Sequence, residues 1–177
     1  LRALASQARC VILDEPLAHV DEARVDRYWQ VLESQVKETQ ATCVFSTHDA
    51  ICVRRFADHC VCLEDGQVAF AGPVATVLFE PPSEATAWLL GPANFFSEKQ
   101  RACLFEQESV PVCIRPDELR IVFEPDGFGI RSTRRIAGAY AVELEGDQAP
   151  TVFLDELPKR GGRLVFEPSP LRQAAGR

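Results

Sequence analysis

A change of rhythm along the chain marks its first elements. Cys10, Val11, Ile12 and Leu13 run without a polar break, which predicts a strand buried on both faces, as in the parallel sheet of an α/β domain. Asp14 and Glu15 end the run, and Pro16 has no amide hydrogen to offer a ladder, so the strand stops there. From Asp21 to Thr39 the period lengthens: Val25, Tyr28, Trp29, Leu32 and Val36 recur every three or four positions and predict an amphipathic helix. Asp21 and Glu22 suit its N-cap and the positive end of its dipole. Residues 41–46 return to a strand, which ends in Thr47-His48-Asp49, and a short helix is expected to about Phe56. Strands over 60–63 and 67–71 flank a hairpin turn at Glu64-Asp65-Gly66-Gln67. Short helices follow through Val77–Phe79 and over 84–90, while residues 1–8 read as the end of a helix.

Past Gly91-Pro92 the grammar alters. Apolar stretches over 101–106, 110–114, 119–123, 128–136, 139–145, 151–154 and 163–166 are separated by Pro, Gly and acidic turns. Closely spaced short strands without long helices predict a small β-barrel or sandwich. The expected organisation is therefore an α/β part with a parallel sheet over 1–90 and an all-β domain over 91–177, with a loose tail after Pro168.

Composition narrows the function classes. With 46% hydrophobic and 25% charged residues the chain reads as a soluble globular protein. A formal net charge of −7 opposes nucleic acid as the main partner, because neutralising phosphates needs a basic face. No apolar run reaches the length of a membrane span and no signal-peptide pattern opens the chain, so any membrane role is expected to be peripheral. Met is absent and Leu1-Arg2-Ala3-Leu4-Ala5 already looks helical, which suggests the C-terminal part of a longer protein. The seven cysteines are odd in number and sit mostly in apolar runs, as reduced, buried thiols of a cytosolic protein would. His59-Cys60-Val61-Cys62 has no second ligand pair at zinc-site spacing.

The candidate chemistry lies in three polar clusters: Asp14-Glu15 at one strand end, Asp21 at the helix start and His48 at the next strand end. If the two strands are parallel neighbours, all three fall on the edge of the sheet where such folds bind ligands. That layout suits metal-assisted phosphoryl transfer to water. Asp14 would hold Mg²⁺, through a water because this ion sheds its shell reluctantly. Glu15 would orient and deprotonate the attacking water. His48 would donate to the γ-phosphate or to the water. The plainer alternatives are a strand with a polar turn, and a histidine that caps a neighbouring carbonyl.

These residues also carry a resemblance. Val11-Ile12-Leu13-Asp14-Glu15-Pro16-Leu17-Ala18-His19-Val20-Asp21 resembles the Walker B motif and D-loop of ABC transporter ATPases, and Ser46-Thr47-His48-Asp49 resembles their switch-histidine loop. Phe56-Ala57-Asp58, Leu63-Glu64-Asp65-Gly66-Gln67-Val68 and Gly72-Pro73 follow in that family's order, and Arg2-Ala3-Leu4-Ala5 resembles the tail of the helix after the signature. The resemblance implies ATP and Mg as cofactors, with Asp14 at the metal, Glu15 as catalytic carboxylate and His48 as switch. Asp21 would act across a nucleotide-sandwich dimer. It further implies a second copy of the subunit, membrane permease subunits and indirectly a solute-binding protein as partners, no nucleic acid, and a cytoplasmic position on the inner face of the membrane. One departure stands out: Ala50-Ile51-Cys52-Val53 replaces the acidic residues that importers often carry after the switch. The adenine is held far upstream in that family, so Tyr28 and Trp29 are read as packing.

No Gly-x-x-x-x-Gly-Lys-Ser/Thr, no Leu-Ser-Gly-Gly-Gln and no glutamine-loop segment occur in the sequence. The chain alone is therefore expected neither to bind ATP tightly nor to hydrolyse it. Gly91-Pro92-Ala93-Asn94-Phe95-Phe96 and Val112-Cys113-Ile114-Arg115-Pro116-Asp117-Glu118-Leu119 resemble the TOBE domains of importers for sulfate, molybdate, iron, polyamines, phosphonates or sugars. Arg131, Arg134 and Arg135 form a basic knot that could hold an oxyanion or simply guard a strand edge. Trp88 is expected to seal the boundary between the two parts. A helicase or DNA-repair ATPase also uses a strand ending in Asp-Glu, but Pro16, the D-loop and the Thr-His-Asp strand end oppose a helicase, and the acidic balance opposes repair. A non-catalytic binding module is the remaining alternative.

Overall fold

A computed structural model describes residues 8–107, 109–146 and 150–175. The helix expected at the very start lies almost wholly outside the described residues. The chain packs as two units that divide between Ala57 and Asp58. The boundary expected near residue 91 falls inside the second of them.

The first unit is β1 (Cys10–Asp14), α1 (Glu22–Thr39), β2 (Thr42–Ser46) and α2 (Ala50–Phe56). β1 and β2 pair in parallel, with Val11 opposite Cys43, Leu13 opposite Phe45 and Asp14 opposite Ser46. Side chains alternate across a strand, so Val11, Leu13, Cys43 and Phe45 share one face. Leu13, Cys43 and Phe45 pack there against Trp29 and Leu32 of α1 and Cys52 of α2. Trp29 is the centre of this core, 2% exposed, stacked on Phe56 at 4.8 Å and tilted against Phe45 at 4.7 Å. Tyr28, expected on the same stripe, is 45% exposed, because the buried positions of α1 follow a 25-29-32-36 spacing that leaves residue 28 on its flank.

One expectation needs correction: β1 is not buried on both faces. Its second face is bare, with Ile12 76% and Val44 52% exposed. The continuous apolar run promised two cover layers, whereas both helices of this unit contact the same side of the strand pair.

The second unit begins with β3 (His59–Glu64) and β4 (Gln67–Pro73), an antiparallel hairpin. Asp65 and Gly66 both take positive φ at its turn, the backbone that a two-residue hairpin connection demands. Then come α3 (Val74–Phe79), α4 (Glu84–Leu89), β5 (Asn94–Phe95), α5 (Glu98–Leu104) and β6 (Cys113–Ile114). β7 (Leu119–Phe128), β8 (Ile130–Ile136), β9 (Ala139–Leu144), β10 (Thr151–Leu154), β11 (Gly162–Phe166) and α6 (Pro170–Ala175) complete it. β8, β9 and β10 form an antiparallel sheet with β9 central, and β7 pairs with β11. Their inner faces meet in a core that includes Phe96, Ile114, Leu119, Val142, Leu144, Val152 and Leu164. β7 and β11 approach so closely that a Cβ on Gly162 would lie 1.9 Å from the Val122 carbonyl oxygen; only glycine fits.

This unit is rich in strands but not all-β. Residues 98–104 are helical where a strand over 101–106 was expected. The apolar Ala102-Cys103-Leu104-Phe105 suggested a strand, but the Ser97–Gln100 capping box starts a helix ahead of it. The tail after Pro168 is not loose either, since α6 is held by Arg172. Its guanidinium meets both carboxylate oxygens of fully buried Glu118, at 2.7 and 2.8 Å, and the Cys113 carbonyl at 2.7 Å.

Buried Arg115 links the parts of the unit. Its Nε donates to the Leu78 carbonyl at 2.9 Å and its Nη1 to those of Ala87 and Gly91 at 3.1 and 3.0 Å. These carbonyls lie at or just past the ends of α3 and α4, where helix geometry leaves acceptors to be satisfied from outside; that of Ala87 also accepts from the Leu90 amide at 3.3 Å. Trp88 meets Phe153 edge-on at 4.9 Å.

Candidate active site

The parallel register of β1 and β2 sets the site. It puts Asp14 opposite Ser46 at the C-terminal ends of the two strands. Ser46 Oγ donates to Asp14 Oδ1 at 2.5 Å and accepts from the Glu15 amide at 3.1 Å. The Glu15 amide also lies 3.2 Å from the Ser46 carbonyl, which extends the ladder one residue past the strand. Glu15 then turns into a left-handed conformation, φ +42°, a region a non-glycine residue occupies at a cost of about 1–2 kcal/mol. Such strain concentrates at functional sites. From there its carboxylate meets His48, with Glu15 Oε1 2.8 Å from Nδ1.

The imidazole of His48 is pushed above its ordinary value of 6.5, first by the hydrogen bond to Glu15, then by the charges of Glu15 and Asp49. It is therefore poised to carry a proton on the side facing Glu15. Its side chain is 84% exposed and that of Glu15 38%, so both are open to a ligand arriving at the sheet edge. Asp49 caps α2, accepting at Oδ1 from the Ile51 amide at 2.8 Å and from the Cys52 amide at 3.4 Å.

Asp14, Glu15 and His48 thus come together around Ser46. Asp21 does not join them through any hydrogen bond or ion pair among the described residues. Its carboxylate accepts from the Ala23 amide at 3.2 Å as the N-cap of α1, after two turns that close from Glu15 to Ala18 and from Leu17 to Val20. Ser46 was not among the expected site residues. Its signal was present in the sequence, since parallel pairing of two strands that end in Asp and Ser places hydroxyl against carboxylate.

The donor set suits a magnesium ion. Asp14 and Ser46 offer hard oxygen atoms, and the nearby His48 imidazole is engaged with Glu15. Among the described residues no group of three or more His, Cys, Asp or Glu gathers as a closed cage. Magnesium does not require one, because it keeps several waters and uses one or two carboxylates alongside substrate phosphates.

Of the basic knot, Arg131 is engaged, with Nη1 3.1 Å from Glu143 Oε1. Arg134 and Arg135 lie on β8, at the edge of its sheet.

A layer of helices on a parallel strand pair, with an acid pair and a histidine at its C-terminal edge, is an α/β arrangement whose polar groups lie where such sheets bind ligands. No family model matches the chain. The molybdenum import ATP-binding protein ModC of Rhizobium etli is 37% identical over 159 residues, covering 82% of this chain and 44% of that protein. The nickel import ATP-binding protein NikO of Rhodobacter capsulatus is 44% identical over 70 residues, 38% of this chain and 28% of that one. The solved structure of UvrA2 from Deinococcus radiodurans has a TM-score of 0.42 at 21% identity, over 72% of this chain and 13% of that one, a likeness too low to bear weight. The chain is similar to these import ATP-binding proteins, and it spans less than half the length of the curated relatives it matches. Among the described residues no helix is long and apolar enough to cross a membrane.

Proposed function

We propose that these residues form the water-activating half of the ATP site in the ATP-binding subunit of an ABC importer. The observation that carries this reading is the contact of His48 Nδ1 with Glu15 Oε1 at 2.8 Å, beside Asp14 held by Ser46. Asp14 would hold the magnesium ion, whose bound charge would offset that developing on the γ-phosphoryl group. Glu15 orients and deprotonates the attacking water. His48, held by that carboxylate on one nitrogen, presents its other nitrogen to the γ-phosphate. Asp21, at the start of α1, faces a second copy of the subunit.

In this reading residues 1–90 are the C-terminal part of the ATPase domain and 91–177 a TOBE-like regulatory domain. The partners are a second copy and membrane permease subunits, fed by a solute-binding protein, on the cytoplasmic face of the membrane. The cargo is a small solute of the oxyanion, iron, polyamine or sugar class. The ModC match covers 82% of this chain and an Fe(3+) import ATP-binding protein, FbpC, 75%, both more than the first ninety residues can supply.

The test is ATP hydrolysis by an importer subunit that contains these residues. Glu15→Gln is expected to lower turnover by about 10²–10⁴-fold while leaving nucleotide binding in place. Hydrolysis that survives the change would overturn the assignment. The 177 residues alone, which contain no phosphate-cradling loop, are expected to give no turnover above a blank. A rate from them that Glu15→Gln abolishes would overturn that second expectation.

A further inference from the structure

The departure at Ala50-Ile51-Cys52-Val53 has a structural consequence at Cys52. This residue is 5% exposed, and its sulfur lies between two polar groups from different elements. The Trp29 indole Nε1 donates to Sγ at 3.3 Å, and Sγ in turn donates to Asp49 Oδ2 at 3.1 Å. Trp29 is itself fixed between Phe45 of β2 and Phe56 of α2. Asp49 directly follows His48, and its other carboxylate oxygen already caps α2. The link therefore runs from the core of α1, through one thiol, to the residue beside the histidine.

We propose that Cys52 is a positioning residue for His48, tying the loop that carries the histidine to Trp29 of α1. The proposal deepens the reading of His48 as the γ-phosphate switch and rests on it. The loop needs such an anchor. Its histidine side chain is 84% exposed and so is held by little packing. α2 has seven residues, too few to be stable without tertiary contacts. Only a group that both accepts from an indole and donates to a carboxylate can complete the link. A thiol does both while protonated, and burial, followed by the hydrogen bond to Asp49, pushes this one up to about 11. Alanine can do neither, and serine can do both.

The test is hydrogen exchange of the Trp29 indole, the Cys52 amide and the Asp49 amide in the 177-residue chain. The Asp49 amide bonds Thr47 Oγ1 at 3.1 Å within the loop that carries His48. Cys52→Ala is expected to speed exchange at all three by about fivefold to tenfold, the effect of one lost hydrogen bond. Cys52→Ser is expected to restore them, and Cys52→Val, which fills the space without a donor, is not. A purely packing role would let valine match the parent and leave serine unable to, and that result would overturn the proposal. Should Cys52→Ala not fold, Trp29→Phe keeps a ring and removes the donor. Faster exchange of the Asp49 amide there supports the link, and unchanged exchange overturns it. The readout is independent of turnover, so a failure of the ATPase assignment and a failure of this link are told apart.

Discussion

At the scale of single residues, Glu15 and His48 carry the argument, and their pairing makes a pH prediction. The His48 imidazole is raised above 6.5 by its hydrogen bond to Glu15, then by the charges of Glu15 and Asp49. The stabilisation from this pair is accordingly complete below the unfolded imidazole value and disappears as pH rises through the higher folded one. Glu15→Gln removes the acceptor charge, so the His48 midpoint should fall, which the imidazole carbon shifts would record; a midpoint that stays raised would mean that Asp49 dominates. The acid pair and the histidine were legible in the sequence because strand ends and Pro16 fix their places. The strained backbone of Glu15 was not, since a positive φ at glutamate has no signature in residue type. The place of Ser46 was legible only once the two strand ends are taken as parallel neighbours, which sets Asp14 opposite Ser46.

At the scale of elements, the least expected feature is the latch on α6. Glu118 is fully buried, yet its carboxyl lies below the ordinary range. Burial alone would raise it, and the hydrogen bonds from Arg172, Arg115 and Ser169, with the charge of Arg172, outweigh that. The contribution is present above the unfolded carboxylate value and is lost as pH falls through the lowered folded one. α6 should therefore loosen in acid, seen as faster exchange of the Ser169 amide, which donates to Glu118 at 3.1 Å. Arg172→Ala leaves a buried carboxylate without its cation, a change that costs about 3–5 kcal/mol. It also removes the guanidinium stacked 4.5 Å from the Phe79 ring. Urea unfolding would read the loss, and a variant within about 0.5 kcal/mol of the parent would refute the latch. The hairpin and strands β9 and β10 were legible from alternation and turn residues. The helix at 98–104 and α6 were not, because a local capping box and a long-range ion pair overrode apolar runs and a proline-rich tail.

At the scale of the whole molecule, what stands out is apolar surface left uncovered in each unit. In the first, Ile12 and Val44 project from the face of β1 and β2 opposite the helices, 76% and 52% exposed. In the second, Val61, Leu63 and Val68 do the same on the hairpin of β3 and β4, each about 60% exposed. Leu63 stands directly opposite Val68 in the register, so this is a contiguous patch. Parallel strands are ordinarily covered on both faces, and apolar patches of this kind mark surfaces of association. The sequence pattern of β1 called for two covers, and the described residues supply one; the pattern was informative because it spoke of more packing than these residues provide. The expectation that follows is physical: the isolated chain should bind a hydrophobic dye and self-associate with rising concentration. Ile12→Thr with Val44→Thr should reduce both while costing little stability, because neither side chain is buried in the chain itself. Fluorescence of the dye and sedimentation at several concentrations would test this. If the double variant instead unfolds, with a loss of more than about 2 kcal/mol, those side chains are already covered in solution, and the bare face is not the state the chain adopts.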